Sequence, residues 1–325
     1  MNFEAKNSLV PILQVTELTH RFGKRMVLNG LNFEVQRGEV FGLLGPNGSG
    51  KSTVLALIAG LLNRQGGTIS LMGEELPDAI PSFRQQIGMV FQSPSLDLKL
   101  SARENLSLTC SLYGIPGNER RERIDQQLDF AGLRERGKER VGKLSGGMRR
   151  RLEIARALIH EPSILLLDEP TVGLDEASFR DTWHRLEIFR KSRDITIIIS
   201  THRSEEGERC SRVAILDRGR TSAVESPAML MKTLSKDIIE IKGADLQRIY
   251  EDVVKKFSLP ATVGEKELLI ECENGHELIP RLVSSFSPGE LSSLNLRKSS
   301  LSDVFLKITG HKLERDLIPM NGNLQ

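Results

Sequence analysis

Apolar residues arrive in short blocks through the first two thirds of the chain, and their spacing changes along the way. ILQVTEL (12–18) and LNFEVQRGEVFGLL (31–44) predict strands separated by the turn signals RFGKR and NG. VFGLLG reads as a buried strand, and VLALIAGLL a few residues on has the length and leucine content of a helix. TISLMG (68–73) and IGMVFQ (87–92) predict two further short strands. From Ser93 to about Lys143 the strands give way to helical spacing in SARENLSLTCSLYG and ERRERIDQQLDFAGL, bounded by glycine and proline, as in a helical insertion. Met148, Leu152, Ala155 and Ile159 then recur at spacings of four, three and four, which predicts a helix with arginines on its other faces. SILLLDEP (163–170) predicts a strand buried on both faces and ending in two acids. GLD (173–175) makes a turn, and a helix to about Arg193 leads into another buried strand, ITIIISTH (195–202). Fully apolar strands of this kind indicate a parallel sheet inside an α/β domain.

The pattern shifts near Ser235. DIIEIKG, ADLQRIYEDVVKKF, PATVGE, KELLIECE, NGHELIPRLVSSF and ELSSLNLRK read as strand, helix, strand, strand, helix, strand. That order, βαββαβ, predicts a small α+β unit of ferredoxin-like type. No residue cluster in it suggests chemistry, so a dimerisation, regulatory or membrane-subunit contact is expected. The organisation predicted is a tail over 1–10, an α/β domain over 11–234 with its helical insertion at 93–143, an accessory domain over 235–310, and a flexible tail over 311–325.

Composition narrows the function. A length of 325 residues suits one large domain or, more often, two, and 27% charged residues with a formal net charge of +2 favour neither nucleic acid nor an acidic substrate. The basic runs RRER (120–123) and RRR (149–151) read as solvated helix faces. Cys110, Cys210 and Cys272 are odd in number and far apart, without metal-ligand spacing, which points to a reducing compartment. MNFEAKNSLVPIL lacks the basic start and long apolar core of a signal peptide. No apolar run reaches the roughly 18 residues a membrane span requires, so a membrane role is expected to come through a partner.

The candidate chemistry lies at the ends of the predicted strands. GPNGSGKST, comprising Gly45, Pro46, Asn47, Gly48, Ser49, Gly50, Lys51, Ser52 and Thr53, joins a strand to a helix N-terminus. Glycines let backbone N–H groups curl round an anion there, and the helix dipole favours negative charge. This is the phosphate-binding loop, or Walker A motif: Lys51 would reach the β- and γ-phosphates and Ser52 would ligate Mg²⁺. Asp168 would hold Mg²⁺ through its water shell and Glu169 would orient or deprotonate a water, although an acidic pair after a strand can also be a helix N-cap. Gln92 and His202 end two further strands; the one can point into a ligand crevice or be solvated, the other can donate to a phosphate oxygen or cap the surface. If the sheet is parallel, all these strand ends share one edge. Phe22, on the first predicted turn, can stack on a base or cover a sheet edge. Ser145, Gly146 and Gly147 open a second helix N-terminus and thus a second potential phosphate binder.

From about Ile12 to Lys232 the chain resembles the nucleotide-binding domain of ABC transporters. The resemblance rests on GPNGSGKST, Gln92 as the Q-loop glutamine, the signature LSGGM (Leu144, Ser145, Gly146, Gly147, Met148), the Walker B strand ILLLDEP, the D-loop ending at Asp175, and His202 as the switch histidine, all in family order. It implies a P-loop NTPase core that hydrolyses ATP in a head-to-tail dimer, with the signature of one subunit closing over ATP held by the other. It further implies base stacking by Phe22, Glu169 as the catalytic base assisted by His202 and Gln92, Mg²⁺ at Ser52, Gln92 and Asp168, and a separate polytopic permease gripped by the helical insertion at the cytoplasmic face of the membrane. LSGGM in place of the commoner LSGGQ, followed by RRRLEIARAL, together with the closing LSDVFLKITG, looks like the branch that exports drugs, antibiotics, lipid-linked polysaccharides or sodium. The alternative is a soluble ABC-type ATPase acting on ribosomes or nucleic acid. Such proteins carry tandem nucleotide domains or a long coiled coil, whereas this sequence has a single Walker A loop and no sustained heptads.

Overall fold

The structure is a computed structural model that describes residues 10–76, 81–234, 237–264 and 267–313. The tails expected over 1–10 and 311–325 fall almost wholly outside the described residues. Two compact units divide between Glu225 and Ser226.

In the first unit the chain runs β1 (Leu13–Phe22), β2 (Arg25–Val35), β3 (Val40–Leu44), α1 (Lys51–Ile58), β4 (Gly66–Leu71), β5 (Glu74–Glu75), α2 (Pro81–Arg84) and β6 (Ile87–Val90). It continues through α3 (Ala102–Leu112), α4 (Gly117–Ala131), α5 (Gly146–Leu158), β7 (Ile164–Asp168), α6 (Glu176–Arg193), β8 (Thr196–Thr201), α7 (Ser204–Gly207), β9 (Arg212–Asp217) and β10 (Arg220–Glu225). Two sheets result. One is antiparallel, in the order β2-β1-β4-β5; the other, β10-β9-β3-β8-β7-β6, is parallel except for its edge strand β10. β3, β7 and β8 are buried throughout, as strands covered on both faces must be.

Two sequence expectations change here. NG is not a turn: Asn29 and Gly30 lie inside β2, where Gly30 has φ +74° and the β1/β2 register slips, so the glycine serves an irregular strand. The run 31–44 is also two strands. It breaks where Gln36 N–H donates to Glu39 Oε1 at 2.6 Å and Gly38 takes φ +72°, and its halves enter different sheets.

Leu13, Leu18, Leu31, Phe41, Leu55 and Leu166 belong to one buried cluster joining both sheets and α1, with Phe33 and Phe41 stacked at 5.4 Å. Each such side chain contributes about 1.5–3 kcal/mol by burial. The helical insertion forms a second cluster around Leu106, Leu128, Leu133 and Leu152, so α5 belongs to its core. Helix α3 starts sharply because Ser101 and Glu104 form a reciprocal capping box, and α4 stops at Gly132, φ +67°.

The second unit comprises α8 (Pro227–Met231), β11 (Asp237–Gly243), α9 (Leu246–Phe257), β12 (Ala261–Val263), β13 (Leu268–Cys272), α10 (Gly275–Ser284), β14 (Leu291–Lys298) and α11 (Leu301–Thr309). Its sheet is antiparallel, in the order β12-β13-β11-β14, the ferredoxin-like arrangement of a βαββαβ chain. Ile239, Ile241, Ile249, Val253, Ile270 and Leu282 form its core.

Candidate functional site

The parallel sheet aligns the ends of β3, β7 and β8, and each end carries polar groups. β3 passes into the loop at Gly45, whose N–H donates to Thr201 O at the end of β8 at 3.1 Å. A Cβ at Gly45 would collide with the carbonyl oxygen of Leu216, and one at Gly50 would lie 2.5 Å from Leu28 Cδ2. Gly48 and Gly50 have φ +83° and +106°, so the loop can curl only as glycine. Gly50 then caps α1 without a side-chain acceptor, and no acidic residue occupies the first turn; the N–H groups there are set for an external anion. Asn47 lies exposed at the tip beside half-buried Pro46, and Thr53 in the first turn of α1.

Lys51 is buried, with 4% of its surface exposed; its Nζ donates to Gly45 O at 2.8 Å and Pro46 O at 3.0 Å. Burial draws its pKa down, opposed by Glu169 and Asp168. Ser52 Oγ donates to Asp168 Oδ1 at 3.0 Å, and Ser200 Oγ donates to the same carboxylate oxygen. Two hydroxyls and a carboxylate form a hard oxygen donor set of the kind Mg²⁺ selects.

Glu169, 7% exposed, holds the centre. Its Oε2 accepts from Gln92 Nε2 at 2.9 Å, its Oε1 lies 3.1 Å from His202 Nδ1, and Lys51 Nζ stands 3.9 Å away. The His202 hydrogen bond, against the cost of burial, holds the Glu169 carboxyl below the usual carboxylate range. A carboxylate kept ionised beside a phosphate-binding loop can orient a water and take its proton. The backbone reaches this position through φ +45° at Glu169 itself.

Phe22 is not part of this cluster. It ends β1, 52% exposed and edge-on to His20, opposite Arg25 in the hairpin register. Arg25 Nη2 comes 3.6 Å from where a Cβ of Gly48 would stand, which puts the hairpin tip beside the loop. The signature also stands apart from Glu169. Leu144 is buried; Ser145 Oγ accepts from Met148 N at 3.3 Å and caps α5; Gly146 is open to its surroundings. Gly147 meets α6 so closely that a Cβ would collide with Ser178 Oγ. Met148 Sδ lies 3.0 Å from Arg136 Nη1. Asp175 caps α6, accepting from Ser178 N at 2.8 Å, so D-loop and signature meet at Ser178.

The expectation that RRR (149–151) is solvated fails: Arg150 and Arg151 are buried. Arg151 Nε donates to Ala131 O at 2.9 Å and Nη1 pairs with Asp181 at 3.1 Å, while Arg150 reaches the carbonyls of Asp168, Glu169 and Pro170. The sequence hint was the i,i+3 spacing of Arg150 and Glu153, a buried pair at 3.0 Å. Ser200 and Glu206 were also missed. Glu206 is fully buried and accepts from Thr171 Oγ1 at 2.5 Å and from Thr201 Oγ1. Among the described residues no group of three His, Cys, Asp or Glu side chains could hold a metal by themselves, and the three cysteines are free and buried.

A glycine loop at a helix N-terminus, a serine–aspartate pair and a carboxylate held by an amide and an imidazole, all along one edge of a parallel sheet, define a P-loop nucleotide hydrolase. Residues 28–172 match the family model described as ABC transporter. The chain is 38% identical over 309 residues to "Nod factor export ATP-binding protein I" of Burkholderia orbicola (strain AU 1054), covering 94% of this chain and 99% of the relative. The protein of the same name from Cupriavidus metallidurans (strain ATCC 43123 / DSM 2839 / NBRC 102507 / CH34) is 36% identical, with 94% and 99% covered. Among solved structures, cbiO1 from Clostridium perfringens, part of the ABC transporter complex cbiONQ, superposes with a TM-score of 0.65 at 29% identity, over 75% of this chain and 95% of that one. A dimeric ATP-binding cassette in a post-hydrolysis state, bound to ADP and Pi, gives a TM-score of 0.59 at 29% identity, over 66% and 98%. The chain belongs to the ATP-binding proteins of ABC transporters. It binds ATP and is an ATPase of that family, whose ATP-binding domains dimerise and pair with membrane permease subunits. Among the described residues no helix is long and apolar enough to cross a membrane.

Proposed function

We propose that this subunit powers export through a separate polytopic permease, acting as a head-to-tail homodimer at the cytoplasmic face of the membrane, with Glu169 as the base of ATP hydrolysis. One observation carries the base assignment: the Glu169 carboxylate is held ionised between Gln92 and His202, 3.9 Å from the Lys51 ammonium inside the phosphate loop. Export is supported by relatives named for Nod factor export.

In this reading the loop from Gly45 to Thr53 binds the phosphates through its N–H groups, and Lys51 exchanges its two carbonyl partners for phosphate oxygens. Ser52 and Asp168, with Gln92 at the margin, would hold Mg²⁺, which would supply positive charge beside the phosphoryl oxygens. Glu169 accepts the proton of the attacking water, and His202 and Gln92 fix the carboxylate's direction. Phe22 offers its exposed ring to the base. Leu144 to Met148 serve the ATP held by the partner subunit, with Asp175 beside them across the dimer. The ATPase domain is assigned to 11–234, with its helical region over 93–143 as the permease contact, and the accessory domain to 235–310, although the compact units divide earlier, after Glu225.

Glu169→Gln tests the assignment. The variant keeps a neutral hydrogen-bonding side chain of the same shape but cannot take a proton, so turnover should fall by about 10²–10⁴-fold while ATP binding persists and a stable dimer accumulates. Light scattering with ATP and steady-state phosphate release read both. Wild-type turnover in the variant would remove Glu169 from the role.

A further inference from the structure

Arg150 is a buried cation whose five hydrogen bonds match the five N–H donors of a guanidinium. Nε donates to Pro170 O at 2.7 Å, and Nη2 donates to Asp168 O at 2.9 Å and Glu169 O at 3.2 Å. Nη1 donates to Phe91 O at 2.7 Å and Glu153 Oε2 at 3.0 Å. The other oxygen of Glu153, itself 3% exposed, accepts from Ser95 N at 2.8 Å. One side-chain pair on α5 therefore grips three successive carbonyls from the last residue of β7 onward and the backbone on both sides of Gln92.

The middle carbonyl of the three belongs to Glu169, whose φ of +45° is a left-handed conformation that a side-chain-bearing residue keeps only when its surroundings hold it. From the other side, Glu169 N donates to Ser200 O and Ser200 Oγ, both at 3.1 Å. The planar fork of arginine suits three carbonyls on one bend, which a lysine's single ammonium cannot span.

We infer that Arg150, braced by Glu153, is a positioning residue for ATP hydrolysis: it holds the left-handed turn that aims the Glu169 carboxylate at Gln92 and His202. The inference rests on Glu169 being the base. Because Arg150 sits one turn into the helix that opens with the signature, the same side chain ties that helix to the base-bearing turn.

The test compares full-length wild type, Arg150→Lys, Arg150→Met, Glu153→Leu and Glu169→Gln. ATP turnover is measured against ATP concentration, with equilibrium binding of a fluorescent ATP analogue and the thermal midpoint, at a temperature well below every midpoint. The expected split is a loss of about tenfold or more in kcat for Arg150→Met and Glu153→Leu, with Arg150→Lys intermediate, while analogue affinity stays within about twofold. A side chain that only stabilises the fold would lower the midpoint and leave kcat per folded molecule unchanged; that result overturns the inference. Arg150→Met leaves buried carbonyls unpaired, so if it fails to fold, Arg150→Lys and Glu153→Leu decide the matter. Wild-type turnover in Glu169→Gln would sink the base assignment and the inference together. An inactive Glu169→Gln beside fully active Arg150→Lys and Glu153→Leu would sink the inference alone.

Discussion

Glu206 shows how much of the site is held by groups with no part in the chemistry. It lies wholly out of solvent with one carboxylate oxygen on Thr171 and the other on Thr201, bracketing the segments that carry Glu169 and His202. Burial pushes its pKa up, against the two hydroxyl bonds. A folded-state pKa above the unfolded one means the unfolded chain releases the proton first. Its stabilising share is therefore full below the unfolded value and is lost as pH rises through the folded one. Thermal midpoints taken across pH should thus show wild type losing ground to Glu206→Gln as pH climbs out of the carboxylate range; parallel curves would refute this. Legibility at this scale divides by partner. Lys51, Ser52, Asp168, Glu169 and His202 could be read from sequence because each ends or follows a buried run. Arg150 was marked only by its i,i+3 spacing from Glu153, because its other partners are backbone carbonyls, which no residue type marks, and arginine beside arginine looks like a wet helix face.

Among the elements, the two glycine-opened helices differ in what their glycines do. In the phosphate loop Gly45 is held by the Leu216 carbonyl, so Gly45→Ala must displace backbone and should lower both the thermal midpoint and ATP affinity, at a cost of about 1–3 kcal/mol. In the signature Gly146 has nothing within 4 Å of a would-be Cβ. Gly146→Ala should leave the midpoint of the isolated chain unchanged while turnover falls, because the crowding it introduces would be felt by the partner's nucleotide. Melting curves and phosphate release separate the two, and an unfolded Gly146→Ala or a fully active one would contradict the assignment. Strand and helix order was legible up to β8 and again in the βαββαβ order of the second unit, because buried runs and helical spacing are strong signals; β9 and β10, between them, were not read. What escaped was pairing: Asn29-Gly30 looks like a hairpin turn in sequence, yet the hairpin closes at Gly23 and the dipeptide sits in a strand. Which of two sheets a strand joins is fixed by distant partners, and local composition does not carry that information.

For the molecule as a whole, net charge is close to balanced, among the described residues no helix is long and apolar enough to cross a bilayer, and ATP-binding domains of this family pair with membrane permease subunits. Tagged full-length protein purified from solubilised membranes of its own cell should bring down a polytopic partner with about six spans. Recovery with ribosomes or nucleic acid and no membrane protein would favour the soluble class instead. The second unit has its own sheet and core.

Gly147 bears on how such a chain can change over generations. Its lack of a side chain is demanded from within, by Ser178 on α6, and in the proposed head-to-tail dimer it would be demanded again by the partner's ATP. A lineage that abandoned ATP turnover would be released from the second demand and not from the first. Gly146, crowded by nothing in its own chain, would be free to drift as soon as hydrolysis ceased to matter. The order in which the two glycines disappear thus dates a loss of activity: Gly146 goes first, and Gly147 only after α6 has been rebuilt.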